Sequence, residues 1–370
     1  MNISAIAAVL CAATRQLRIQ GMLLAATAAG GLGIAHDSTA QRQGEGQLLL
    51  GTIDFPTSGS ELAQQEFITG VLALHSFWYE EARDHFIVSQ QQDPDFGMAY
   101  WGEAMTWDNA FRSLPGSENE IMGTGVIARI DELDATGKLI WTERERAYLN
   151  AVRKRFSASS SYELRREEYR AAMVELAARY PEDDEAMAFA ALALMALPGF
   201  DREQSLHVVA VASRLEEIYE RNREHPGALH YLIHAYDTQT FARMGLRQAR
   251  IYAEIAPASS HALHMPSHIF RHLEMWPEVV TSNEDAYEAS VQWQERTDRP
   301  LHARDFHALD WLLGAYMRLG RMDDAQAIMA EIDAIEAEIR ANDEDWGEFP
   351  RVAETLRGYY ESTVPAPVGH

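Results

Sequence analysis

From Ser58 almost to the C-terminus, apolar positions return with the period of an α-helix. Val, Ile and Thr never gather in the alternating runs that mark strands. Helical stretches of roughly 12–18 residues are separated by short Gly, Pro, Asp and Ser breaks, the arrangement of stacked helical hairpins. The pattern predicts long helices over 143–156, 162–180, 184–197 and 202–221, and one more from Pro350. Ser58 and Glu61 have capping-box spacing for the first helix. Residues 41–57, rich in Gln, Gly and Thr, read as a linker, and the helical pattern breaks over 111–141, which reads as an irregular insertion. The fold class expected is all-α.

A repeat lies within this periodicity. Gly70, Ala82, Phe86 and Pro94 take the small and large positions of one helical hairpin, and Ala99-Tyr100-Trp101-Gly102 opens the next. Tyr316, Leu319, Gly320 and Ala325 give the motif again; Phe270, Leu273, Trp276 and Val279 give a weaker copy, and Ala249 sits in a further hairpin. Small residues let paired helices approach, and large ones fill the gap to the next pair. On these residues the chain resembles tetratricopeptide-repeat proteins over most of 58–340. The runs His225-Pro-Gly-Ala-Leu-His-Tyr-Leu-Ile-His234 and His261-Ala-Leu-His-Met-Pro-Ser-His-Ile269 resemble a bacterial, histidine-rich subgroup of them. The resemblance implies a right-handed solenoid of A and B helices whose A helices line an inner, concave face where ligands bind. It divides the chain into hairpins over 58–110, 142–224 and 225–340, with a helix and tail over 341–370.

Charge and cysteine content narrow the partners. Thirty-two basic residues against 56 acidic ones leave a net charge of -24, which repels nucleic acid and anionic lipid. Residues 1–40 read as a cleavable signal peptide. Arg15 and Arg18 precede an apolar run from Gly21 to Ala35, and Ser38-Thr39-Ala40 suits cleavage. The run is short for a membrane span. The single cysteine, Cys11, belongs to this leader, so the mature chain carries none, as suits a periplasmic or secreted protein. Cysteine nucleophiles, disulfides and thiolate metal sites are excluded. No HExxH, P-loop, GxSxG or GxGxxG motif is present.

The histidines change the picture most. Nine of the 14 fall between His225 and His307. His230 and His234 are spaced i, i+4 with Asp237 at i+7; at 100° per residue these lie about 40° and 20° either side of one helix face. His264, His268 and His272 also step by four, with Pro266 as a first helical residue and His264 at the cap. Repeat register sets His75, Glu103, Trp107, His230, His234, His264, His268 and His307 on the inner face, and His85 outside it. Two i, i+4 pairs on neighbouring helices suit one transition metal ion, Zn, Cu, Fe or Mn, with His230, His234, His264 and His268 as ligands. Asp237, Glu103 or His307 would be a further ligand, an orienting group or a general base, and His75, Trp107 and His272 would line the pocket. Met265, Met275, Trp101, Trp276 and Tyr316 read as core, and the acidic runs 181–185 and 343–345 as solvated. A different class stays open: a metal-free adaptor that binds a peptide or protein partner, its histidines serving as hydrogen-bonding groups. A metal-free hydrolase using Ser260 or Ser267 also stays open.

Overall fold

A computed structural model describes residues 48–112, 114–197 and 199–363. The leader, with Cys11, Arg15, Arg18 and the 38–40 cleavage site, lies outside the described residues, as does the tail beyond 363. From Leu48 the chain forms one compact unit. Its helices run in sequence: α1 (Glu61–His75), α2 (Tyr79–Gln92), α3 (Gly97–Met105), α4 (Glu118–Ala135), α5 (Glu143–Arg155), α6 (Tyr162–Arg179), α7 (Asp184–Met195) and α8 (Ser205–Arg221). They continue as α9 (Pro226–Tyr236), α10 (Ala242–Ile255), α11 (Ser260–His264), α12 (Pro266–His272), α13 (Trp276–Thr297), α14 (Phe306–Arg318), α15 (Met322–Asn342) and α16 (Phe349–Thr363). Among the described residues the only β-type pairing is one bridge between Phe96 and Ile140. The all-α expectation holds.

Successive helices pair as hairpins, α1 with α2, α5 with α6, α7 with α8, α9 with α10, and α14 with α15. The repeat is visible in the turns. Trp78 N donates to Ala73 O at 3.0 Å, Met275 N to Phe270 O at 2.9 Å, and Arg321 N to Tyr316 O at 2.9 Å. Each bond spans five residues and closes over a left-handed residue: Phe77 (φ 52°), Glu274 (φ 57°) and Gly320 (φ 71°). Three hairpins therefore turn by one mechanism, although only one uses glycine. Packing follows the small-and-large rule. Phe86 is fully buried, and a Cβ added at Gly70 or Gly102 would meet its ring at 2.8 or 2.3 Å. Trp101 and Tyr316 are buried and Trp276 is half-buried against the same core.

Three local expectations are corrected. The N-cap position of α1 falls to Ser60, whose side chain makes no capping bond, and not to Ser58, which is drawn to Glu145; that carboxylate accepts from its N–H at 2.6 Å and its hydroxyl at 2.9 Å. Residues 48–57 are no free linker. Leu50 and Phe55 are buried, Thr52 N of the strap donates to Glu224 O, and Leu49 O of the strap accepts from Ala258 N. The segment 111–141 contains the 18-residue helix α4. Its buried positions, Gly123, Val126, Ile127 and Ile130, make a narrow stripe among polar residues, so its period is faint in sequence.

Candidate metal centre

Three A-type segments bring the histidines together. Helix α9 begins with a His225 cap, whose Nδ1 accepts from Ala228 N at 3.1 Å, and with Pro226 in its first turn. It carries His230 and His234 and ends at Asp237. Helices α11 and α12 are one bent rod. Met265 keeps helical angles (φ −55°, ψ −36°), but Pro266 has no N–H to continue the ladder. The bend sets His261 and His264 at the end of one piece and His268 and His272 on the next. Helix α14, capped by Asp305, presents His307 in its first turn.

These residues form two trios, His230/His234/His261 and His264/His268/His307, and in each the candidate donor nitrogens lie within 4.8 Å of one another. The two i, i+4 pairs named from sequence thus have separate foci, each completed by one more histidine. His261 was not singled out from sequence. The trios adjoin: ring centroids of His261 and His264 are 6.1 Å apart, and those of His234 and His268 are 6.4 Å apart.

Hydrogen bonds settle which nitrogen of several rings faces inward. His230 Nδ1 donates to the His75 carbonyl at 2.6 Å, leaving Nε2 with its lone pair 3.2 Å from His261 Nε2. His264 Nδ1 donates to Asn283 Oδ1 at 2.7 Å, and the same amide is oriented by its own bond to Val279 O at 2.7 Å. His268 Nδ1 donates to Asp237 Oδ2 at 2.9 Å. Both Nε2 atoms of this second pair therefore carry lone pairs, and they face each other at 3.1 Å. Two lone pairs so close repel unless a cation lies between them, and a metal ion or a proton meets that need. Asp237 accepts from His272 Nε2 with its other oxygen, at 3.1 Å. It orients His268 in the carboxylate–histidine manner of metal sites.

The protein disfavours the proton on five of the six rings, His230, His234, His261, His264 and His307. Burial lowers the pKa of His264 and His261 well below the ordinary value, and neighbouring histidines push the same way. Burial likewise lowers His230 to about 3 and His307 to about 4. His234 is depressed by burial, by His230 and His268, and by Arg202, and its Nε2 is buried without a hydrogen-bond partner. Asp237 lies at about 2: burial opposes its ionisation, and the hydrogen bond from His268, with His272 and Arg202 nearby, outweighs that. Neutral rings at these five positions and an ionised Asp237 behind His268 are protonation states that suit a metal.

Aromatic rings wall the centre. Phe77 lies 4.4 Å from His230, 5.7 Å from His234 and 5.5 Å from His261, centroid to centroid. Phe111, in the insertion, stands 4.8 Å from His234, and Trp311 stands 4.5 Å from His268. Neither these rings nor Asn283 was picked out from sequence. Trp311 follows His307 at i+4, a spacing that places it on the same face, and Asn283 is a polar residue within the buried stripe of α13.

The remaining sequence candidates lie elsewhere in the network. His75 is fully buried, as is Glu185, and forms a closed triad with it and His225. His75 Nε2 donates to Glu185 at 2.5 Å, its Nδ1 faces the Tyr231 hydroxyl at 2.9 Å, and His225 Nε2 donates to Glu185 at 3.1 Å. Every donor and acceptor of that triad is used within the protein, so the triad needs no metal. His75 is not a pocket residue; its backbone carbonyl positions His230. Glu103 pairs with Arg129 and Gln90, and its carboxylate is not among the groups that join the histidines. Trp107 is covered by the Arg83 guanidinium, 3.4 Å from its ring centre. His85, on α2, pairs with Glu66 of α1 at 2.7 Å.

No protein-family model and no curated protein matches the chain. Among solved structures, yeast Tom70 overlies 83% of this chain and 71% of its own, at 10% identity and a TM-score of 0.35. Naa15/Naa10 bound to HypK-THB overlies 82% of this chain and 64% of its own, at 14% identity and a TM-score of 0.26. At those scores the likeness concerns the course of helices and carries no argument about the site. The tetratricopeptide-like character rests on the hairpins and their shared turn. Among the described residues no helix is long and apolar enough to cross a membrane.

Proposed function

We propose that this chain is an exported metalloprotein whose histidine centre binds a transition metal for catalysis. The observation that carries the reading is the facing pair, His264 Nε2 and His268 Nε2, 3.1 Å apart with both Nδ1 atoms committed as donors. The donor set narrows the metal. Both trios are all-imidazole. Mn(II) and non-haem Fe(II) sites draw on carboxylates, and here Asp237 has both oxygens turned to histidines and Glu103 is paired with Arg129. Zn(II) and copper fit best. Three protein ligands, rather than four, leave a position for water or substrate, which is the habit of catalytic and not of structural zinc. Export is supported by the leader pattern and by a mature sequence without cysteine.

The test is elemental analysis of the full chain, purified without an affinity tag, reconstituted with Zn(II) or Cu(II) and then dialysed. The reading expects at least one ion per chain in the wild type and a clear loss in His234→Ala/His268→Ala. A ratio near zero after reconstitution would overturn it, and would favour the adaptor reading, in which the groove takes a peptide or protein partner.

A further inference from the structure

We infer that the centre holds two transition-metal ions per chain, one in each histidine trio, rather than one ion shared by the two i, i+4 pairs. The inference rests on the metal reading above and goes beyond it in number and in ligand assignment.

Three observations support it. First, the trios share no residue, and each closes within 4.8 Å on its own. One joins α9 to α11 through His230, His234 and His261. The other joins α11 and α12 to α14 through His264, His268 and His307. Second, each focus has its own orienting partners. The His75 carbonyl holds His230, while Asn283 and Asp237 hold His264 and His268. Third, the donor chemistry opposes sharing. Six imidazoles around one ion is an octahedral all-nitrogen shell, whereas Zn(II) takes four ligands in proteins and three imidazoles leave one position open. Ring centroids of 6.1 and 6.4 Å between the trios make the two centres neighbours.

The experiment is Zn(II) stoichiometry, by elemental analysis after equilibrium dialysis of the full, tag-free chain. Wild type, His261→Gln and His307→Gln are compared, and the circular dichroism of each metal-free variant is checked against wild type. These two histidines are partly exposed, and glutamine keeps their volume and polarity, so folding is expected to survive. The expected ratios are two in the wild type and one in each variant, His261→Gln losing the first ion and His307→Gln the second. A wild-type ratio of one overturns the inference and leaves the metal reading standing. A wild-type ratio of zero overturns both.

Discussion

Phe77 holds a left-handed backbone (φ 52°) while its ring lies against His230, His234 and His261. Glu274 holds the same backbone at the equivalent turn (φ 57°), with an exposed side chain. An L-residue there costs about 1–2 kcal/mol, and glycine avoids it at the expense of its own chain entropy. The two sites therefore separate strain from packing. Glu274→Gly should raise stability by about 0.5–1 kcal/mol, because the side chain gives little in return. Phe77→Gly should lower it by about 1–3 kcal/mol, because the lost ring contacts exceed the relieved strain. Urea unfolding of the metal-free chain measures both; a gain in Phe77→Gly would mean that the ring does not support the histidines. At this scale the sequence was informative about donors and silent about supports. The i, i+4 steps of His230/His234 and His264/His268 follow from helical period alone. The turn that aims Phe77 does not, since it lacks the glycine that marks the equivalent turn at Gly320.

At the scale of elements, the centre depends on how closely α1 and α9 approach. A Cβ added at Gly227 would lie 2.4 Å from His75 Nδ1. That ring cannot yield: Glu185 and Tyr231 hold both its nitrogens, and Phe189 stacks on it at 4.9 Å. Gly227→Ala must then part α1 from α9, at a cost of about 1–3 kcal/mol. It should also stretch the bond from His230 Nδ1 to the His75 carbonyl. The expected result is weaker metal binding at the His230 trio with the His264 trio unchanged, read by Zn(II) competition against a chelator. Gly245→Ala is the control. Its nearest neighbour is the Ile269 Cδ1 tip at 2.8 Å, the end of a flexible side chain, so the change should be milder. Equal loss at both trios in Gly227→Ala would refute the link through His75. Repeat register read each helix correctly as a carrier of histidines, but it could not give the offset between neighbouring helices. That offset, set by glycines such as Gly227 and by the Pro266 bend, is what divides one apparent cluster into two foci and recruits His261.

For the whole molecule, the outstanding feature is a set of buried and half-buried imidazoles with lowered pKa values in a chain of net charge -24. Burial has lowered His230 to about 3 and His307 to about 4, and it lowers His75, His234, His261 and His264 as well. Their ordinary value is 6.5, the value they regain on unfolding. Between 6.5 and about 4 the unfolded chain takes up protons that the folded chain refuses, so acid favours unfolding. The stability that these groups confer is complete above 6.5 and is lost as pH falls toward their folded values, by up to ~1.4 kcal/mol per pH unit for each histidine. Nearby Arg112 and Arg202 act in the same direction, and Asp305 opposes it at His307. The urea midpoint of the metal-free protein should therefore drop steeply from pH 7 to pH 5. His307→Gln should flatten the slope by about one proton's worth. Bound metal should move the drop to lower pH, since the ion stabilises only the folded state and competes with protons for the same nitrogens. A midpoint that stays level between pH 7 and pH 5 without metal would show that the imidazoles are solvated in solution, and that the closed centre forms only around its ions.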